Sequence, residues 1–341
     1  MQKIIIPLLQ CALCHTHNLT SEIIEEDKDG DIRTGVVQCR HCSRWYPIEE
    51  YALELLPANL AYQTERQRFY QLYGKQLRLP PVIKINSSQS KSKEKKQQAH
   101  FDWYSNNGKQ NYSDYAATTF WRVADKIAFD KWKTYIAPQS IVLDVGCAQG
   151  RSTFYLMDLP IEIIAFDISK RMIQEAIKCY KKGTYQARAS FFVADATQIP
   201  LQSNSIDVVL GYGVIHHMEH PAKICEEIAR ILKPNGGMYI GSENNKTAFR
   251  IFFDMLQRIA PQWYEQAGSH PLITQRMLTR WFKSTNIRFQ TRTSIYIPPH
   301  FVNILPYFLA HKAVRWTDYI GSKLPFFKDN GGLILINGVK A

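Results

Sequence analysis

Four cysteines stand in two pairs, Cys11-x2-Cys14 and Cys39-x2-Cys42, with 24 residues between the pairs. Each pair can form a knuckle that aims two thiolates at one ion, and two knuckles complete a tetrahedral, all-cysteine zinc site. Four protein ligands leave no open position for water, so Cys11, Cys14, Cys39 and Cys42 are expected to hold a structural rather than a catalytic Zn2+. His15, His17 and His41 lie close by, but the four thiols make them unnecessary as ligands. A second constellation starts at Ile141. The apolar run Ile141–Val145 carries Asp144 and enters a loop with Gly146, Ala148 and Gly150. A Gly-bearing turn at the carboxyl end of a strand lets the backbone approach a ligand closely. The dinucleotide fingerprint needs Gly-x-Gly-x-x-Gly; here the pattern is Gly-x-Ala-x-Gly with an acid two residues ahead. A carboxylate at that place suits a zwitterionic, amino-acid-bearing ligand better than a pyrophosphate.

These residues need a scaffold. Ile141–Val145, Ile161–Phe166, Phe191–Ala194, Ile206–Leu210 and Met238–Ile240 are short apolar runs of the kind that form buried parallel strands. Ser169–Lys182 and Pro221–Leu232 read as the helices between them, one opened by a Ser cap and one by a Pro in its first turn. Strands alternating with helices imply an open α/β sheet with right-handed crossovers. Ile287–Ile297 and Gly332–Val339 read as a final antiparallel pair, and 244–281 as inserted helices rich in aromatics. Ser87–Gln98 has no aliphatic residue and reads as a solvated linker.

The chain has 341 residues, 45% of them hydrophobic, which suits about two globular domains and excludes wholesale disorder. Ile4–Leu9 is broken by Pro7 and is too short for a secretory signal. Thr293–His311, the longest uncharged stretch, contains three prolines and makes a poor membrane span. The expectation is a cytoplasmic protein, peripheral to a membrane at most. The formal charge of +12 is uneven: residues 1–60 carry −4, 61–135 carry +8, 136–245 carry −1 and 246–341 carry +9. Basic flanks around a neutral centre point to an anionic partner.

Around the cysteines, Leu9–Cys14, Cys39–Cys42, Trp45-Tyr46-Pro47-Ile48 and Leu55-Leu56-Pro57 resemble the zinc ribbon of the tRNA-methyltransferase activator family, whose members are partners of methyltransferases. From Phe101 to Asn245 the chain resembles class I S-adenosylmethionine-dependent methyltransferases, and within them the ubiquinone-type small-molecule branch (methyltransferase type 11). The first motif of that family, D-x-G-x-G-x-G, falls on Asp144, Gly146 and Gly150, with Ala148 in place of the middle glycine. Its ribose-binding acid falls on Asp167, followed by Ile168. Its adenine-binding acid falls on Asp195, followed by Ala196. Asp207 in SIDVVL, the run Val214–Met218 and the turn ILKPNGG (Ile231–Gly237) complete the order.

The resemblance implies a Rossmann-like class I sheet of seven mostly parallel strands behind a small zinc ribbon. It also implies S-adenosyl-L-methionine as cofactor. The expected division is a ribbon over 1–60, a basic connecting segment over 61–100 and a methyltransferase domain over 101–341, with an acceptor cap at about 246–330. Methyl transfer from a sulfonium needs alignment and a dry pocket, and a general base only for a poorly ionised acceptor. His216 and His217, just beyond the fourth strand, are the candidate bases, with His216 preferred. Cys147 is read as loop packing, and Cys179 and Cys225 as core cysteines. Tyr104, Tyr112 and Tyr115 are candidate lid residues over the cofactor.

Phe301–Leu324 interleaves aromatics with His311, Lys312, Arg315 and Lys323. It reads either as a cap that roofs the acceptor with Phe301, Phe308 and Trp316, or as a basic amphipathic surface for a membrane or lipid-like acceptor. The leading expectation is methyl transfer to a small-molecule or lipid-like acceptor. The alternatives are an RNA methyltransferase, whose phosphate contacts the basic flanks would serve, and a non-catalytic, cofactor-binding partner. GYGVIHH stands where a base-clamping Asn-Pro-Pro-Tyr motif would sit, and intact acids at 144, 167 and 195 speak against a degenerate site.

Overall fold

A computed structural model describes residues 1–82, 92–105, 114, 116–261, 271–325 and 327–341. Its centre is the expected α/β sheet. Strands β5 (Ile141–Val145), β6 (Glu162–Asp167), β7 (Arg188–Val193), β8 (Val208–Tyr212) and β9 (Met238–Asn244) run parallel, and β10 (Ile287–Ser294) with β11 (Leu333–Lys340) close one edge. β11 is antiparallel to both of its neighbours. The central strands are buried along nearly their whole length, as both-face-covered parallel strands must be.

The sheet has eleven strands, not seven. The ribbon strands β1 (Leu19–Glu26), β2 (Ile32–Cys39), β3 (Trp45–Glu49) and β4 (Ala52–Glu54) form an antiparallel meander. β4 then pairs in parallel with β7, Leu53 opposite Phe192 and Glu54 opposite Val193. The full order is β1-β2-β3-β4-β7-β6-β5-β8-β9-β11-β10. The reason is edge chemistry: β7 would otherwise present unpaired backbone N–H and C=O groups, and the ribbon covers them. The cores merge as well. Leu9, Tyr46, Ile48 and Leu53 pack in one buried cluster with Leu143, Phe166 and Phe192.

The ribbon leaves the sheet through α1 (Gln63–Tyr73), where Arg66 Nε meets Glu54 Oε1 at 2.7 Å in a buried ion pair. The linker expected over Ser87–Gln98 is corrected in part. Residues 87–91 lie outside the described residues, but α2 (Lys93–Tyr104) is a helix. Its Ser92 cap accepts from Lys95 N, and the Lys, Glu, Gln and Ala that follow are good helix formers.

Helices α3 (Thr119–Trp132), α4 (Arg151–Tyr155), α5 (Lys170–Tyr180) and α6 (Pro221–Ile231) accompany the central strands. Ser169 caps α5 by accepting from Met172 N. Asp207 latches the amino ends of the strands, accepting from Ile141 N at 2.9 Å and from Lys233 Nζ at 2.8 Å. The cap comprises α7 (Ala248–Ile259), α8 (Gln275–Trp281), α9 (Pro299–Asn303) and α10 (Tyr307–Lys323). Cys225 and Cys147 are buried as expected, whereas Cys179 is exposed, because it falls on the outward face of α5. Among the described residues no helix is long and apolar enough to cross a membrane.

Candidate active site and cysteine cluster

The loop after β5 is shaped by three positive φ angles. Gly146 (+67°) sits so close to Val214 that a Cβ would lie 2.7 Å from its Cγ2, and Gly150 (+86°) caps α4. Between them Ala148 adopts φ +48°, a left-handed conformation that is strained for a residue with a side chain. That strain turns Ala148 N toward Asp167 Oδ2, which accepts from it at 3.0 Å. Asp167 Oδ1 accepts from Ser169 N at 2.9 Å. The first-strand loop and the second-strand acid are thereby locked together.

Beside this junction is a cavity of about 690 Å³, open mouth included, at the carboxyl ends of β5, β6, β7 and β8. Gly146, Ala148, Asp167, Ile168, Asp195 and Ala196 all line it. Burial pushes the Asp167 carboxyl up to about 6, against the pull of the two backbone donors. Burial also raises Asp195, whose carboxylate is steadied by Thr197 N and Oγ1 at 2.9 and 2.8 Å. Such a site holds carboxylates ready to accept from ligand hydroxyl or amino groups.

Asp144 and Gly150 stand behind the loop, outside the lining. Asp144 accepts from Ser152 Oγ at 2.7 Å and Thr153 Oγ1 at 2.6 Å, and burial pushes it up to about 7. Its observed task is to tie β5 to the first turn of α4. The preference for His216 as base is corrected: the two rings adjoin at 4.0 Å, but only His217 reaches the cavity. His217 lines the cavity and meets Phe101 edge-on at 5.6 Å. His216 is buried, and its Nδ1 lies 2.5 Å from Glu243 Oε2 at the end of β9. Glu243 Oε1 accepts from Ile215 N at 2.7 Å, so Glu243 braces the turn that carries both histidines. Burial raises the Glu243 carboxyl well above the ordinary range.

Sequence reasoning missed the roof. Glu94, Gln97 and Phe101 of α2 line the cavity. Gln97 donates to His217 O, and Lys93 Nζ donates to Met218 O at 3.0 Å. Gln98 Nε2 bridges Leu60 O and Ile168 O at 3.0 and 3.2 Å, and Asp102 accepts from Ser169 Oγ at 2.6 Å and Tyr62 OH at 2.9 Å. The roof is therefore pinned to the ribbon's exit on one side and to the Asp167 loop on the other. Tyr104 lies on this helix; Tyr112 and Tyr115 lie outside the described residues.

A second missed group is Asp125 on α3. It holds Arg151 through 2.8 and 2.5 Å contacts and accepts from Tyr212 OH at 2.6 Å. The Arg151 guanidinium lies between the Trp121 and Tyr212 rings, 4.7 and 5.2 Å from their centroids. Tyr212 lines the first cavity, whereas Trp121 lines a smaller one of about 340 Å³, open mouth included. That one sits under the cap, among Phe120, Phe253, Ile295, Ile297 and Arg250. Phe301, Phe308 and Trp316, expected as the acceptor's roof, line neither cavity; all three face outward. Their helices bury Val302, Ala310 and Val314 instead, which puts the large aromatics on the solvent side.

In the ribbon, Cys11, Cys14, Cys39 and Cys42 converge with all four Sγ atoms within 4.8 Å of one another. Cys11–Cys42 and Cys14–Cys39 each span 3.6 Å. A tetrahedron with Zn–S of about 2.3 Å has edges of about 3.8 Å, so the donor set fits zinc in chemistry and in size. Leu13 N points at Cys11 Sγ at 3.4 Å and Tyr46 OH lies 3.1 Å from it, the kind of outer contact that orients a thiolate ligand.

Residues 143–240 match the family model described as a methyltransferase domain. An uncharacterized chloroplastic methyltransferase of Arabidopsis thaliana is 26% identical over 157 residues, 44% of this chain and 44% of that protein. The demethylmenaquinone methyltransferase of Renibacterium salmoninarum is 28% identical over 138 residues, 39% of this chain and 55% of that protein. The chain thus spans about half the length of these curated relatives. Among solved structures, a Thermotoga maritima methyltransferase described as a possible histamine N-methyltransferase aligns with TM-score 0.48 at 17% identity. That alignment covers 72% of this chain and 99% of the other.

Proposed function

We propose that this protein transfers a methyl group from S-adenosylmethionine to a small-molecule or lipid-like acceptor, on a core braced by a zinc-bearing ribbon. The observation that carries the reading is the first cavity. It gathers two buried acids, Asp167 and Asp195, and the Gly146–Ala148 backbone at the carboxyl ends of adjacent parallel strands. Asp167 would accept from the ribose hydroxyls, and Asp195 with Ala196 would hold the adenine edge. Ile168 would give the ring an apolar face. When bound, the cofactor supplies a sulfonium methyl and departs as a neutral thioether, so its leaving group needs no acid.

The chain's own residues orient and exclude water. Phe101 and Gln97 roof the site, and Tyr212 fixes the wall toward the cap. His217, which lines the cavity, would take a proton from a hydroxyl acceptor, with His216 and Glu243 holding its turn. The acceptor would approach past the apolar residues Phe120, Trp121, Phe253 and Ile295. A relative that acts on demethylmenaquinone supports an apolar acceptor. The four cysteines would hold one Zn2+, which metal analysis of the purified protein should return at about one per chain.

The test is a tritiated-methyl transfer assay against fractionated lipid, small-metabolite and RNA pools. Label is expected in the lipid or metabolite fraction. Label confined to RNA would replace this reading with that of an RNA methyltransferase.

A further inference from the structure

Three helices of the cap leave large apolar side chains in water. Ile251 and Ile259 on α7 are 72% and 75% exposed, and Ile304, at the end of α9, is 78% exposed. On α10, Phe308, Trp316 and Tyr319 are 60%, 66% and 66% exposed. The helices adjoin one another. His300 of α9 contacts Ala260 O at 2.8 Å and the Phe253 ring at 5.8 Å, and α10 begins directly after α9. Along α10, Phe308, Lys312, Arg315, Trp316, Tyr319 and Lys323 recur at helical spacing on one face, while Ala310, Val314 and Gly321 are buried on the other.

The charge on this surface has one sign. Lys312, Arg315, Lys323 and Arg258 are exposed. The two acids on the three helices are engaged elsewhere: Asp254 pairs with Arg250 at 2.7 Å, and Asp318 turns inward to Ile295 N at 2.8 Å and to Ser294 Oγ.

We propose that this face docks on the surface of an anionic lipid bilayer. The aliphatic and aromatic side chains enter the boundary between headgroups and acyl chains, and the basic residues meet anionic headgroups. A polynucleotide would satisfy the basic residues but would leave Ile251, Ile259 and Ile304 in water, whereas a bilayer surface takes both. Arg250 and Phe253 of α7 and Pro299 of α9 line the cap cavity. On the reading of that cavity as the acceptor's approach, docking lets a lipid-borne acceptor reach the methyl donor without crossing water.

The full-length protein is sedimented with vesicles of phosphatidylcholine alone and with vesicles of phosphatidylcholine and phosphatidylglycerol in equal parts. Binding to the anionic vesicles is expected, with little to the zwitterionic ones. Lys312→Gln with Arg315→Gln should lose about thirtyfold in affinity for the anionic vesicles, since each surface cation is worth about a fivefold factor there. Phe308→Ala with Trp316→Ala should lose at least about tenfold through the apolar area removed. All four side chains are exposed, so cofactor affinity by calorimetry should be unchanged and should verify that the variants are folded. Equal binding to both vesicle types overturns the proposal, as does unchanged binding by either folded variant. So does a wild-type protein that ignores vesicles and binds RNA in a manner the Gln variant loses. Methyl transfer is assayed separately on the fractionated pools, so docking and the enzymatic reading can fail independently.

Discussion

On the amino-terminal side, Leu9, Tyr46, Ile48 and Leu53 of the ribbon lie in one buried cluster with Leu143, Phe166 and Ile336 of the central sheet. On the carboxyl-terminal side, Val302, Ala310 and Val314 belong to a separate, smaller cluster with Phe120, Trp121 and Leu333, and the outer face of those helices is bare. The ribbon joins the sheet by backbone pairing and a shared core, and its charges are largely answered internally: Lys181 bridges Asp27 and Asp31, and Lys170 reaches Glu49. The cap leaves basic residues and aromatics exposed to solvent, the face proposed above to dock on lipid. One added region is scaffold and the other is a proposed interface, although both flank the same sheet.

The largest expected effect tests the scaffold half. Cys39→Ser with Cys42→Ser, or chelation, would remove the proposed zinc, whose binding is folding free energy of about 10 kcal/mol in small zinc modules. Because β4 pairs with β7 and the ribbon's exit pins α2, the loss should not stop at residue 60. Thermal unfolding should move as one transition, and cofactor binding should fall with it. A ribbon that melts alone, leaving calorimetric cofactor affinity intact, would break the comparison. Next is Arg66→Met. Arg66 also donates to Glu54 O and Leu56 O at 3.4 and 3.2 Å, so the variant leaves the buried Glu54 carboxylate with only Tyr62 N at 3.2 Å and the Lys170 ammonium at 3.8 Å. Urea unfolding should show a loss of about 3–5 kcal/mol, the usual result of breaking a buried pair on one side.

The central sheet was legible because strand runs and loop signals are local. Ile141–Val145 is a strand as read, and Gly146, Ala148, Asp167, Ile168, Asp195 and Ala196 meet at one cavity. Non-local partners were not legible. Nothing in Asp144 itself announces that Ser152 and Thr153 will occupy it, and the pairing of Leu53 with Phe192 joins residues far apart in sequence. The α2 roof was hidden by composition: a run of Lys, Glu and Gln looks solvated, yet Gln98 is buried, and only helix propensity with a Ser cap signals it. On α10 the helical spacing was readable. Which face turns inward depends on α3 and β10, against which it packs.

Of intermediate size is the effect at the junction between the regions. Asp167→Ala should weaken cofactor binding by about 2–4 kcal/mol, because it removes a charged acceptor. The pH dependence follows from the carboxyl's position at about 6 in the free protein. Only the ionised group accepts from two hydroxyls fully, so affinity should rise as pH passes upward through 6. The same shift acts oppositely on the empty fold: the raised carboxyl contributes stability below its ordinary 3.8, and this is lost as pH rises through about 6. In Asp167→Asn both slopes should flatten. Asp144, at about 7 and behind the loop, is raised partly by the Asp167 charge, so in Asp167→Asn its own titration should move down as well.

The smallest expected effect sharpens the interface half. In the absence of lipid, Phe308→Ala, Trp316→Ala and Tyr319→Ala remove side chains that are mostly in water, so each should change unfolding free energy by no more than about 0.5 kcal/mol. Val314→Ala, one turn away on the inward face, should lose about 1–2 kcal/mol, because it empties space between α10 and α3. Chemical denaturation of the four single variants gives the contrast directly. If the aromatics mattered as much as Val314 without lipid, α10 would be packed on both sides, and the cap would be a second scaffold like the ribbon. If they are silent, the side chains that sequence suggested as the acceptor's roof serve a surface outside the molecule.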